Sequence, residues 1–145
     1  MKSVIQRVLE ASVTVDGECV GRIDRGLLVY LGVEKEDSEK QLHWLCSKIT
    51  KLRVFDDGEG KMNLSLKDVG GSLLVVSQFT LCANLAKGNR PSYNNAADPE
   101  DAVVLYEKAL ETFRNLGFHV ENGAFGQHMH VTYTNDGPVT LLLES

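Results

Sequence analysis

The sequence has few cysteines, no long apolar run and no glycine-rich phosphate-binding loop. Its three cysteines, Cys19, Cys46 and Cys82, include no pair at the spacing of a zinc or redox motif, so we expect reduced, mostly buried thiols. No apolar run is long enough to span a membrane. Because Arg7 and Glu10 interrupt the apolar pattern near the N-terminus, we predict no signal peptide and a cytoplasmic protein.

Missing motifs argue against several classes of enzyme. The chain has neither a P-loop nor a dinucleotide fingerprint, and it has no Gly-x-Ser-x-Gly elbow, which argues against an ATPase, a dehydrogenase and a serine hydrolase. The net charge of -5 argues against a protein that binds nucleic acid over its whole surface, but it allows a local basic patch.

What the sequence does contain predicts one α/β domain over residues 1–145. Strand-like segments alternate with two helical segments, so we expect a mixed, barrel-like β-sheet with two main helices packed on it. Asp16-Gly17 predicts a hairpin turn between the first two strands, because both residues tolerate positive φ. The apolar runs GLLVYLGV and GGSLLVVSQFTL predict buried strands, and the segments FHVEN, QHMHVTYT and VTLLLE predict the last ones.

The two helices have clear boundary signals. Asp37 or Ser38 can cap the first helix, and Asp98 can cap the second, with Pro99 in its first position and Gly117 just beyond its end. The first helix shows a buried face with helical spacing at Leu42, Leu45, Ile49 and Leu52. The predicted buried face of the second helix consists of Ala102, Leu105, Tyr106, Ala109, Phe113 and Leu116.

Two histidines, His128 and His130, are predicted to share one side of a strand. They could bind a metal, but no third ligand occurs at a telling spacing, so we favour two polar residues on an outer face and predict no metal site and no cofactor. In that interpretation Met129, Val131 and Tyr133 pack inward.

The segment SQFTL follows a buried strand without a break. Strand alternation would place Ser77 and Phe79 on one side and Gln78 and Thr80 on the other. Such polar groups can orient a substrate, although an ordinary strand with polar positions fits the local sequence as well. The later segment KGNRPSY, residues 87–93, suits phosphate contact through Arg90, or is simply a solvated loop.

The six residues NDGPVT, 135–140, place Gly137-Pro138 directly before an apolar C-terminal run. Proline cannot donate to a β-ladder, so an ordinary turn before the last strand is one interpretation. A second interpretation of these six residues comes from comparing motifs over the whole chain. The segments IQRV, GLLVYLGV, KITKLRVF, GKMNLSL, LLVVSQFTL, KGNRPSY and NDGPVT, in this order, make the sequence resemble the D-aminoacyl-tRNA deacylase family.

The resemblance implies a homodimeric, cytoplasmic enzyme with a tRNA partner that hydrolyses the ester between a D-amino acid and the 3′ end of tRNA. Ser77, Gln78, Phe79 and Thr80 would line the pocket for the aminoacyl end. Gly137 and Pro138, joined by a cis peptide bond, would enter the partner subunit's site. Backbone there would exclude an L side chain, whereas glycyl-tRNA would be accepted to some degree.

The resemblance leaves the catalytic group open. Thr80, with Gln78 beside it, is the candidate nucleophile in the motif, but no base is visibly paired with it. The alternative is that backbone N–H groups near Phe79 and Thr80 polarise the carbonyl and the tRNA 2′-hydroxyl helps to activate water. Gln127 departs from the alanine that is common in the family, and its effect stays open. A non-catalytic tRNA-binding module and a structural homodimer are the other interpretations.

Overall fold

The chain begins with a long β-hairpin whose turn is at Asp16 and Gly17. Both residues have positive φ, 49° and 85°, as the Asp-Gly pair predicted. The computed structural model describes residues 1–86 and 88–145. Its strands are β1 Lys2–Val15, β2 Glu18–Ile23, β3 Gly26–Gly32, β4 Arg53–Asp56, β5 Met62–Ser65, β6 Ser72–Ser77, β7 Val120–Asn122 and β8 His130–Glu144; its helices are α1 Glu39–Lys51, a 3-10 helix Phe79–Cys82 and α2 Pro99–Asn115.

Strand β1 organises the main sheet. Its first half pairs with β3, its second half pairs with β2, and β8 pairs along nearly its whole length, all antiparallel. Strands β3, β6 and β7 then continue the sheet in parallel. Gly21 of β2 approaches the backbone of Asn122 in β7 so closely that a Cβ would lie 2.5 Å from the carbonyl oxygen. The sheet is therefore a nearly closed barrel, which confirms the predicted fold class.

The helices begin and end where predicted, although the side chain of Asp98 makes no capping hydrogen bond, and the core differs at one position. Ser38 caps α1 in a capping box with Gln41, and α2 begins at Pro99 after Asp98. The helices cover one face of the sheet, where the larger apolar core lies, and a second core fills the barrel. The prediction that Leu116 is buried was wrong: α2 ends at Asn115, and the side chain of Leu116 is exposed. Leu110 is buried instead.

The last strand differs most from the sequence prediction. QHMHVTYT and VTLLLE are not two strands: β8 runs unbroken from His130 to Glu144, and Gly137-Pro138 lies inside it. The alternative of an ordinary turn before the last strand was therefore wrong. His128 precedes the strand, so the prediction that both histidines are strand residues was wrong, but their rings do lie side by side. Met129 and Val131 pack against the barrel core as expected, whereas Tyr133, which was also predicted to pack inward, is exposed. Within the described residues, neither helix is long and apolar enough to cross a membrane.

Candidate active site

A cleft of about 670 Å³ opens beside the end of β6. Four segments form its walls: the end of β3 with residues 33–35, the end of β6 with the 3-10 helix, residues 93–102 that lead into α2, and residues 125–131 that lead into β8. Its lining is largely apolar with a few polar groups, the usual composition of a small-molecule site.

The SQFTL segment supplies the wall at the end of β6. Ser77 is the last residue of β6, opposite Leu31 of β3, and the N–H of Gln78 donates to the carbonyl of Leu31 at 2.8 Å. The chain then turns into the 3-10 helix. The predicted alternation of Ser77 and Phe79 against Gln78 and Thr80 was therefore wrong, because the strand ends before it could apply. Ser77, Gln78 and Phe79 line the cleft.

Gly32 allows the 3-10 helix to lie on β3. A Cβ at this position would be 2.9 Å from the carbonyl oxygen of Gln78 and 3.1 Å from the Sγ of Cys82. Contacts this short require neighbouring atoms to move. Strand β3 therefore positions the SQFTL segment through Gly32, in addition to filling the core with its apolar side chains.

Thr80 does not line the cleft, but its side chain is hydrogen-bonded to Gln78, which does. The side-chain amide of Gln78 donates to Thr80 Oγ1 at 2.5 Å. This bond occupies a lone pair of the hydroxyl oxygen and leaves its proton free to be donated. Within the described residues, no histidine or carboxylate accepts a hydrogen bond from Thr80, so the structure offers no paired base for a nucleophile there.

The opposite wall comes from α2 and the segment before β8. The rings of Tyr106 and Phe125 pack with their centroids 5.6 Å apart. Tyr106 donates its hydroxyl to the carbonyl of Val75 at 2.9 Å, and burial raises the pKa of this phenol above its ordinary value. Tyr106 is therefore a neutral, fixed donor that holds the wall to β6.

The cleft has few ionisable side chains. Those that line it in the described residues are Lys35, Tyr93, Asp98, Tyr106 and His128. The imidazoles of His128 and His130 are 5.0 Å apart and nearly perpendicular, and no group of three or more potential metal ligands occurs in the part of the chain that the structure describes. Gln127, the position that departs from the family pattern, also lines the cleft.

Gly137 and Pro138 do not line their own chain's cleft. Both are exposed, and the peptide bond between them is cis. In the pairing of β1 with β8, Gln6 is opposite Thr140 and Val8 is opposite Asn135. Residues 136–139 are thus an insert of four residues within the ladder, and only Arg7 of β1 is opposite them.

The buried side chain of Arg7 holds this insert through hydrogen bonds. Its side chain is only 3% exposed, and its guanidinium donates to the carbonyls of Asp136 at 3.1 Å and Gly137 at 3.3 Å. It also donates to the carbonyl of Val54 in β4 at 2.5 Å. The carboxylates of Asp136 and Asp56 are 3.0 and 3.2 Å away. Consecutive carbonyls of the insert therefore aim the same way, toward one buried cation.

The sequence motifs and the geometry overlap only in part. Ser77, Gln78 and Phe79 come together at the cleft, whereas Gly137 and Pro138 do not join them within one chain. Of the KGNRPSY segment, Tyr93 lines the cleft, and Lys87 lies outside the described residues. The sequence analysis missed Phe125, for which no local signal exists. It also missed the role of Arg7, whose signal was a charge at an inward-facing position of an alternating strand.

Comparisons with known proteins show which family the chain is related to. The family model described as D-Tyr-tRNA(Tyr) deacylase matches residues 4–144. A protein of Desulfitobacterium hafniense named D-aminoacyl-tRNA deacylase is 56% identical, with 100% of this chain and 97% of the relative covered. A protein of the same name from Fervidobacterium nodosum is 54% identical, with the same coverage.

Two solved structures have the same fold. One, described as "c-Myc DNA Unwinding Element Binding Protein", has a TM-score of 0.95 and 44% identity, with 100% of this chain and 99% of that chain covered. The other, described as a "probable eukaryotic D-amino acid tRNA deacylase", has a TM-score of 0.84 over 98% and 97% of the two chains, and at 17% identity it supports the fold alone. With a family model matched across almost all of its length, the chain belongs to the D-Tyr-tRNA(Tyr) deacylase family.

Proposed function

We propose that this protein hydrolyses the ester bond between a D-amino acid and the 3′-terminal adenosine of tRNA. The observation that carries the proposal is the similarity to named deacylases over the whole chain, at more than 50% identity. The cleft supports it, since its volume and its mostly apolar walls suit one aminoacyl-nucleoside. The substrate pool also supports a cytoplasmic location, because tRNA is charged and used there.

In the proposed reaction the protein positions a labile ester. The N–H groups of Phe79 and Thr80 begin the 3-10 helix, where no acceptor exists within the helix, and no described backbone carbonyl accepts from either. They can polarise the ester carbonyl and stabilise the developing oxyanion. The substrate's 2′-hydroxyl, next to the scissile bond, then helps to activate water. Thr80 contributes by holding Gln78 in place rather than as the nucleophile.

Selection for the D form is proposed to come from a second copy of the chain. Because Gly137 and Pro138 are exposed and do not line their own chain's cleft, they would contact an aminoacyl group in the cleft of a partner subunit. Arg7 fixes the carbonyls of Asp136 and Gly137, so the insert would present a stiff backbone to the substrate's Cα. An L side chain would collide with it. Glycine has no side chain to exclude, so glycyl-tRNA should be hydrolysed to some degree.

An apolar surface near the insert supports a homodimer. Leu142 of β8 is 80% exposed, and its cross-strand partner Val4 is only half-buried. Tyr133, further along β8, is also exposed. Exposed apolar groups on one sheet are typical of protein–protein contact. Sedimentation equilibrium should give twice the mass of one chain, and a monomer at micromolar concentration would contradict the cross-subunit arrangement.

The decisive experiment compares hydrolysis of D-aminoacyl-, L-aminoacyl- and glycyl-tRNA by the parent, Gly137→Ala and Gly58→Ala. In its own chain, an added methyl at Gly137 would meet only Asn135 Nδ2, at an ordinary 3.5 Å, and at Gly58 it would meet nothing within 4 Å. Both variants should therefore fold. We expect the parent to cleave the D substrate and spare the L substrate, Gly58→Ala to match it, and Gly137→Ala to lose D activity or discrimination.

The outcomes separate two parts of the proposal. A parent that cleaves D and L substrates equally, or cleaves neither, would refute the activity. A fully active and selective Gly137→Ala would leave the activity intact but refute the placement of the insert beside the substrate.

A second experiment addresses the reacting groups. Thr80→Ala should lower kcat by about fivefold, because it removes one positioning hydrogen bond worth roughly 1 kcal/mol. A tRNA that ends in 2′-deoxyadenosine should be hydrolysed far more slowly by the parent. Abolished turnover in Thr80→Ala with intact tRNA binding, together with normal turnover of the deoxy substrate, would instead make Thr80 the nucleophile.

A further inference from the structure

Two aromatic side chains in contact are exposed at the mouth of the cleft. Phe79 is 59% exposed and Tyr93 is 38% exposed, and their rings meet edge to face with centroids 5.0 Å apart. Both residues also line the cleft. Single exposed apolar residues are ordinary on a protein surface, but an aromatic pair beside a cleft marks a contact surface.

The backbone around each ring is fixed. Phe79 begins the 3-10 helix, which is tied to β3 through Gln78. Tyr93 follows Ser92, which exchanges two backbone hydrogen bonds with Asn84 at 2.7 and 3.2 Å, and the carbonyl of Tyr93 accepts from the N–H of Ala96. The two rings are therefore presented at set positions, which lowers the entropic cost of stacking a ligand on them.

A cation lies at the same cleft. Lys35 lines the cleft. Its backbone N–H donates to the carbonyl of Asn95, two residues after Tyr93. In the described part of the chain, the Lys35 ammonium has no carboxylate within 4.0 Å. Aromatic faces beside an available cation are the combination by which proteins bind single-stranded RNA, because bases stack on rings and phosphates pair with cations.

The geometry points to a second nucleotide subsite: we propose that Tyr93, with Phe79 beside it, stacks the unpaired base immediately 5′ of the terminal adenosine, and that Lys35 pairs with the phosphate between the two nucleotides. This rests on the proposed function, which places the aminoacyl-adenosine in the cleft. A cleft of about 670 Å³ accommodates one aminoacyl-nucleoside. The preceding nucleotide must therefore leave through the mouth, where the ring pair lies.

The test compares substrates of increasing length. They are D-aminoacyl-adenosine, the D-aminoacyl trinucleotide CCA, and the same trinucleotide with an abasic site at its penultimate position. The variants are Tyr93→Leu, which keeps apolar volume beside Phe79 without a ring, and Tyr93→Phe, which keeps the ring. For the trinucleotide, we expect kcat/KM of Tyr93→Leu to fall by about 10- to 100-fold, the size of one base–aromatic stack. Tyr93→Phe should stay within about twofold of the parent.

The short and abasic substrates distinguish stacking from a structural role. With D-aminoacyl-adenosine, and with the abasic trinucleotide, the loss of kcat/KM in Tyr93→Leu should be at least about tenfold smaller than its loss with the CCA trinucleotide. An equal loss on all three substrates would mean that Tyr93 only shapes the cleft, and no loss on the trinucleotide would mean that no base stacks there. Either result overturns the proposal.

A binding measurement keeps this proposal separate from the proposed function. Calorimetry with uncharged CCA and its abasic analogue needs no turnover. Tighter binding of CCA than of the abasic analogue by the parent, lost in Tyr93→Leu, supports the subsite even if the parent fails to cleave any ester. Equal binding of the two oligonucleotides by the parent refutes the subsite even if deacylation is fast.

Discussion

Replacing Arg7 by methionine should both destabilise the protein and loosen the insert at Gly137. In the structure its guanidinium joins β4 to residues 136–137 of β8 through three backbone carbonyls and two carboxylates. Methionine can fill much of the volume but can donate to none of these acceptors. The substitution therefore tests the hydrogen bonds rather than the packing.

The magnitude follows from which acceptors lose their donor. A hydrogen bond to a charged group contributes about 1.5–3 kcal/mol, and Arg7 makes several. The carboxylates of Asp56 and Asp136 are partly exposed, so water can replace much of the hydrogen bonding that they lose with Arg7. Removing a buried guanidinium also removes its desolvation cost. We therefore expect Arg7→Met to lower the unfolding free energy by about 3 kcal/mol, which corresponds to a fall in Tm of roughly 6–12 °C for a chain of this size.

Denaturant unfolding at one fixed protein concentration measures the stability change, since assembly would otherwise contribute. The control is Arg22→Met, because Arg22 is exposed and, among the residues that the structure describes, pairs only with exposed Glu10. The loss of unfolding free energy in this variant should stay under about 0.5 kcal/mol. Well below the new Tm, Arg7→Met should also discriminate less between D- and L-aminoacyl-tRNA. A variant within 1 kcal/mol of the parent, with unchanged discrimination, would refute the role assigned to Arg7.

Three further predictions concern the fold. Gly26→Ala should fail to give folded protein, because its Cβ would lie 2.0 Å from the carbonyl oxygen of Ser72, whereas Gly58→Ala should match the parent in thermal unfolding. A thiol reagent should label Cys19 rapidly and the two buried cysteines only after denaturation, so rapid labelling of all three would contradict the described burial. Burial raises the pKa of Tyr30 to about 12. Above pH 10 the unfolded chain loses this proton first, so the contribution of Tyr30 to stability should be lost between about pH 10 and 12, and a flat stability profile there would contradict it.

Local features of the fold could be predicted from the sequence. The Asp16-Gly17 turn and the Ser38 cap depend on a few neighbouring residues, whose conformational preferences are strong. The end of β6 could not be located to the residue, because the motif after Ser77 consists of residues that also suit a strand. The N–H of Gln78 still bonds to Leu31 of β3, whereas the N–H of Leu81 bonds back to the carbonyl of Gln78, and the change between these two bonds marks the start of the 3-10 helix.

The sequence motifs of the site could be predicted, but the residues that surround them in the cleft could not. The SQFTL segment was identified as a pocket through the family resemblance, and three of its residues do line the cleft. Tyr106 and Phe125 could be assigned only to a core or a strand-rich region, because their contact depends on how α2 packs against the segment before β8. Arg7 has five contacts with residues more than 40 positions away, which no local pattern encodes.

The four-residue insert in β8 has a consequence for how this chain can change length. The paired residues of β8 on both sides of the insert fix its position relative to β1. Successive residues of a strand also alternate between the two faces of the sheet. Deleting a single residue between Val131 and Asn135 would either detach the insert from Arg7 or turn the barrel-facing side chains outward. Tolerated insertions and deletions in relatives should therefore fall outside this strand, for example in the loop around Gly58, and sequence comparison can test that distribution.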